Sequence, residues 1–199
     1  IHRQIVLSAT YRQSAGRDPR KLEIDRENQF LWRQPRRRLE AEVIRDSLLT
    51  VSGRLDRTPF GPGTLDPNLP RRSVYLTIKR SQLVPMLQVF DCPDALSGIG
   101  ERSSTTVAPQ ALLLLNSRLV RDAAEALAQR VSPAGDITSI SDRVQRAYEL
   151  TLNRPATPTE VASGEKFLTE QLEAKRPEPI VWQDFCHVLL CLNEFVYVE

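Results

Sequence analysis

Proline placement constrains this chain more than any other feature, because proline supplies no backbone N–H and fits a helix only in its first turn. Fourteen prolines are spread over 199 residues. Pro59, Pro62, Pro67 and Pro70 crowd the segment 54–70 together with Gly61 and Gly63, so this stretch must be a loop. The other prolines punctuate helical runs. Pro35 precedes the run 36–49, which places Leu39, Val43, Leu48 and Leu49 on one stripe, and Gly53 offers a left-handed stop. A short helix is predicted over 82–89. Thr106 supplies a cap and Pro109 a first turn for a long central helix over 111–131, whose Leu112 to Leu115 block implies burial nearly all round. A further helix over 141–152 is stopped by Asn153 and Pro155. Thr157-Pro158-Thr159-Glu160 reads as a capping box opening a helix to about residue 175, and Pro177 and Pro179 separate it from a last helix over 181–192. Residues 1–7 read as the end of another helix, followed by an irregular polar segment over 8–29.

One segment alternates instead. Val74, Leu76 and Ile78 interleave with Tyr75, Thr77 and Lys79, the period-two pattern of a half-buried strand. The expected fold is therefore mainly α: about six helices in an irregular orthogonal bundle, with a minor β element near 73–79 and a single domain over 1–199. Hydrophobic residues at 41% and charged residues at 26% are ordinary for a globular chain. No apolar run approaches the roughly 18 residues of a membrane-spanning helix.

Charge is lopsided. Residues 1–80 hold 17 Lys or Arg against 9 Asp or Glu, and residues 81–199 hold 10 against 16. Of the 27 basic residues 23 are Arg, which pairs bidentately with carboxylates, so the two halves are expected to interact through Arg, with Arg36, Arg37, Arg38, Arg71 and Arg72 mostly structural. The basic half lacks interleaved aromatics and any reader motif, so nucleic acid is not an expected partner.

The residues of reactive type are few. His2 and His187 lie far apart, and Cys92, Cys186 and Cys191 fit no zinc or redox spacing, so no metal site is expected, and Cys186 and Cys191, five apart in an apolar stretch, read as buried free thiols. Glu42 and Asp46 lie four apart on one helix face, the spacing of paired acids and, more often, of salt bridges. Charged residues gathered in loops around the 73–79 segment form the best candidate binding set: Arg71, Arg72, Arg80, Asp91, Asp94 and Arg102. No residue is assigned a catalytic role.

Six ordered blocks carry a family resemblance: His2-Arg3-Gln4-Ile5-Val6-Leu7-Ser8-Ala9-Thr10-Tyr11-Arg12-Gln13; Arg36-Arg37-Arg38-Leu39-Glu40-Ala41-Glu42 with Arg45-Asp46; Arg71-Arg72-Ser73-Val74-Tyr75; Phe90-Asp91-Cys92-Pro93-Asp94; Thr105-Thr106-Val107-Ala108-Pro109-Gln110-Ala111-Leu112; and Asn193-Glu194-Phe195-Val196-Tyr197-Val198. Together, over the whole chain, they resemble the planctomycete-specific PSD-one domain, domain of unknown function 1553. The resemblance implies the C-terminal portion of a larger family domain that begins upstream of Ile1, within a large exported multidomain protein that often carries a cytochrome c domain. It implies an extracytoplasmic location, upstream domains of the same chain as partners, and any haem in one of those domains rather than here. Two functions are expected from different classes: a non-catalytic or ligand-binding module, or part of an enzyme acting on extracellular polymers such as polysaccharides.

Overall fold

The computed structural model describes residues 1–79, 81–93, 100, 102–132 and 139–198. They form two compact units, Ile1–Leu39 with Val196–Glu199, and Glu40–Phe195.

The smaller unit contains helix α1 (His2–Leu7), helix α2 (Pro19–Ile24) and a two-stranded antiparallel sheet of β1 (Arg37–Arg38) and β2 (Tyr197–Val198). Within the segment expected to be irregular, Asp18 caps α2 by accepting from the N–H groups of Arg20 and Lys21, and Pro19 stands in its first turn. Arg37 pairs with Val198 and Arg38 with Tyr197, and the Leu39 N–H donates to the Val196 carbonyl.

The larger unit holds α3 (Ala41–Val51), a 3-10 turn (Ser73–Tyr75), α4 (Pro85–Val89), α5 (Ala108–Asn116), α6 (Arg118–Val131), α7 (Ile140–Leu152), α8 (Pro158–Glu173) and α9 (Glu178–Leu190), and all but the last residue of α10 (Asn193–Val196). The protein is mainly helical, with a small antiparallel sheet. Helices α6 and α9 pack most extensively. Val120, Ala123, Ala124, Leu127, Ala128 and Val131 give α6 a buried stripe at helical spacing, and its small residues let the larger Trp182, Phe185 and Leu189 of α9 approach. Helices α7 and α8 complete this core. At Gly164 an added Cβ would lie 3.1 Å from Val144 and 3.2 Å from Phe185, so the glycine leaves room for α7 and α9 to pack against α8.

Several expectations shift. The helix expected from residue 36 begins at Ala41, because Arg37 and Arg38 are drawn into the sheet; its buried stripe is Ala41, Ile44, Arg45, Leu48 and Leu49, with Val43 outside. The 73–79 segment is not a strand. Asp46 captures the Ser73 N–H and hydroxyl, turning the chain into a 3-10 turn with Val74 72% exposed, and only isolated bridges, Thr64 with Leu76 and Lys79 with Gln82, involve the rest. The long central helix is two helices broken at Ser117, which adopts extended backbone; Leu112 and Leu115 are consequently exposed while Leu114 is buried. The N-cap of α5 is Val107 rather than Thr106. The last helix starts at Glu178, so Pro179 sits in its first turn.

Candidate functional site

Helix α3 divides its polar residues between two tasks. On its inner side Arg45 is 1% exposed. Its Nη1 donates to the Arg71 carbonyl (2.9 Å) and Ser73 Oγ (3.2 Å), and its Nη2 to the carbonyls of Pro67 (2.9 Å) and Leu69 (2.7 Å). One guanidinium thus gathers the proline-rich loop onto the helix. On the adjacent side Asp46 Oδ1 accepts from Ser73 N and Ser73 Oγ, both at 2.7 Å.

These two anchors create an open groove of about 610 Å³ between α3 and the 72–78 segment. Glu42, Asp46, Ser47 and Thr50 line the helix side, Arg72 and Ser73 face them, and Val43, Val74 and Ile78 add apolar surface. A smaller pocket of about 210 Å³ adjoins it, sharing Ile78 and Leu87, and Cys92 lies in its wall.

Arg102 bridges the end of the groove. Its Nη1 donates to Glu40 Oε2 (3.0 Å) and Glu42 Oε2 (2.9 Å), and its Nη2 to Glu42 Oε1 (3.0 Å). The Cys92 thiol lies 3.7 Å from Glu42 Oε1. Burial alone would push the Glu42 carboxyl up, but the Arg102 hydrogen bonds and charge, with the helix N-terminal amide, hold it below the ordinary carboxylate range. Burial, and then the Glu42 charge, raise the Cys92 thiol. The pair therefore stands as carboxylate and neutral thiol.

The remaining candidates separate. Arg71 stacks on Tyr75 at 3.8 Å and donates to the carbonyls of Thr58, Phe60 and Pro62, holding the loop. Asp91 has φ +60 and accepts from Thr105 N (2.7 Å) and Thr105 Oγ1 (2.9 Å), tying α4 to the segment before α5. Of the expected binding arginines among the described residues, Arg72 alone lines the groove itself. Arg80 and Asp94 lie outside the described residues.

Sequence reasoning paired Glu42 with Asp46 on one face, and both line this groove, but it missed Arg45 as the organiser. The signal was present: Arg45 falls in register with Ala41, Leu48 and Leu49, and an arginine on an apolar stripe needs buried acceptors. Arg102 stood in the expected binding set, but nothing local pointed to its pairing with Glu40 and Glu42, which lie about sixty residues away. Among the described residues no group of three or more His, Cys, Asp or Glu is placed to hold a metal ion.

No curated protein and no solved structure matches the chain. One family model does, over residues 1–168, so the Asn193 to Val198 block lies beyond the matched span. The chain belongs to the PSD1 family, described as protein of unknown function (DUF1553).

Proposed function

We propose that this chain is a non-catalytic, ligand-binding module of a large exported protein, acting with upstream domains in an extracytoplasmic compartment, any haem belonging to those domains. The observation that carries the reading is the α3 groove, an open cleft whose carboxylates Glu42 and Asp46 are held by structural partners. Glu42 is held by Arg102, which keeps its carboxyl below the ordinary range and so ionised near neutral pH, and Asp46 is held by the Ser73 N–H and hydroxyl. Carboxylate oxygens and the Ser47 and Thr50 hydroxyls suit a hydroxyl-rich ligand, and Val43, Val74 and Ile78 suit its C–H faces. A segment of extracellular polymer such as a polysaccharide fits this chemistry.

A glycan and small-molecule binding screen on the complete protein tests it. Binding without turnover is expected, and Arg72→Ala with Ser47→Ala should weaken it about tenfold or more, since two polar contacts are lost. Conversion of the bound polymer to product would replace this reading with the enzyme alternative. Undiminished binding by the double variant would move the site elsewhere.

A further inference from the structure

The smaller unit carries a second surface that the groove does not involve. Residues 1–39 hold ten Lys or Arg against four Asp or Glu. From this basic unit the loop after α2 projects Phe30 at 81% and Leu31 at 64% exposure. The backbone that carries them is fixed by side-chain hydrogen bonds. The buried Asp25 carboxylate accepts from the N–H groups of Gln29 (2.9 Å) and Phe30 (2.8 Å). Asn28 receives the Arg33 N–H (3.2 Å) and donates to the Arg33 carbonyl (2.8 Å), and Gln13 donates to the Leu31 carbonyl (2.9 Å). Asn28 and Leu31 are held at φ 58 and 53. A left-handed leucine is costly and persists only where its surroundings over-determine it. The loop thus uses its polar groups internally and presents two apolar side chains outward.

Behind this tip the half-buried Trp32 donates its indole N–H to the Asp25 carbonyl (2.9 Å). Lys21 and Arg33 lie over its ring, at 5.8 and 5.3 Å from the centroid. An exposed apolar tip, an amphipathic tryptophan and neighbouring cations are the residue types that meet the acyl chains, the interface and the lipid phosphates of a bilayer. We propose that this loop docks the protein peripherally on an anionic lipid surface, Phe30 and Leu31 entering the acyl region while Lys21 and Arg33 meet the phosphates. Charge selects this occupant, because basic residues beside an anionic bilayer each contribute about fivefold in affinity. A nucleic acid would gain nothing from Leu31, which has no ring to stack.

The test is co-sedimentation of the chain with vesicles of phosphatidylglycerol mixed with phosphatidylcholine, and with phosphatidylcholine alone. Binding should favour the mixed vesicles by about tenfold or more and weaken with salt. Phe30→Ser with Leu31→Ser should lose about tenfold with an unchanged melting temperature, since both side chains are exposed. Lys21→Gln with Arg33→Gln should lose about 25-fold on mixed vesicles. Brominated acyl chains should quench fluorescence from Trp32, an effect absent in Trp32→Phe, while Trp182, 1% exposed, is shielded. Failure to bind mixed vesicles at low salt, equal binding by the serine variant, or absence of quenching overturns the proposal. So does a serine variant that loses association with another protein where the parent never binds vesicles, which would make the loop a protein interface.

Discussion

Arg45 shows how one side chain substitutes for regular structure. The loop between α3 and the 3-10 turn is too rich in proline to satisfy its carbonyls within itself, and the guanidinium supplies donors in a planar fork that reaches four acceptors. Burial pushes its pKa down against the opposing charges of Asp46 and Asp66, yet an arginine stays protonated at any ordinary pH. Arg45→Met is expected to destabilise the fold by about 3 kcal/mol, because the carbonyls of Pro67, Leu69 and Arg71 lose a charged donor in a buried place. Arg45→Lys should recover little, since one ammonium cannot span the fork. The contrast is Arg72, exposed on the groove wall, for which charge reversal to Glu should change stability by under about 0.5 kcal/mol. Buried Arg38 should not tolerate the same change. Thermal scans of the four variants check this: an Arg72→Glu protein melting as low as Arg45→Met would refute the division into a structural and a surface arginine. Reading the named arginines as mostly structural could not say which of them lies on the surface, because sequence reports charge but not exposure.

At the scale of elements, legibility followed the range of the interactions. The start of α8 was fully readable: Thr157 Oγ1 accepts from the Glu160 N–H, and Glu160 accepts from the Thr157 N–H at 2.7 Å, contacts made within four residues. The end of α7 at Asn153, in left-handed backbone at φ 56, was equally local. The extended Arg37 and Arg38 were not, because their pairing partners are about 160 residues away, and the alternation at 73–79 gave way to a single carboxylate on α3. The same junction also carries a long-range tie that no local pattern shows. Arg154 binds Glu160 at 2.8 Å and Glu194 at 2.6 Å, linking the α7–α8 turn to α10. These Arg154 hydrogen bonds, helped by Thr157 and opposed by burial, lower the Glu160 carboxyl from 4.5 to about 2. A carboxyl depressed in the folded state stabilises the fold above its unfolded value. That contribution is lost as pH falls from about 4.5 toward 2. Glu160→Gln should therefore flatten the dependence of melting temperature on pH in this window and lower it modestly at pH 7, the pair being partly solvated. Identical pH profiles for the two proteins would mean that the contact is formed without stabilising the junction.

For the whole molecule, the imbalance between a basic first half and an acidic remainder suggested assembly by charge, and several ion pairs among the described residues follow a different pattern. Arg143 with Glu178, Arg154 with Glu160 and Glu194, and Arg176 with Asp184 all lie inside the acidic portion. Across residue 80, Arg102 runs against the expected polarity, a cation of the acidic half meeting Glu40 and Glu42, and Arg54 reaches Asp122 only at 3.9 Å. Apolar burial between α6 and α9 stabilises the larger unit more than these ion pairs do, and Cys186 stands within that core. Its surroundings push the thiol up to about 12, a little offset by Arg143, while burial raises Cys191 to about 11. Only the thiolate attacks a maleimide, so near neutral pH Cys186 must first reach solvent. Cys92 and Cys191 are half-buried and need smaller openings. Labelling of Cys186 should thus proceed only through opening of the α6–α9 core, its free energy falling with urea at the same slope as equilibrium unfolding, whereas the other two thiols should label with weaker urea dependence. Mass-resolved labelling across a urea series separates the three sites. A Cys186 rate independent of urea would show that α9 frays from α6 without global unfolding, and that the core of the larger unit is not cooperative.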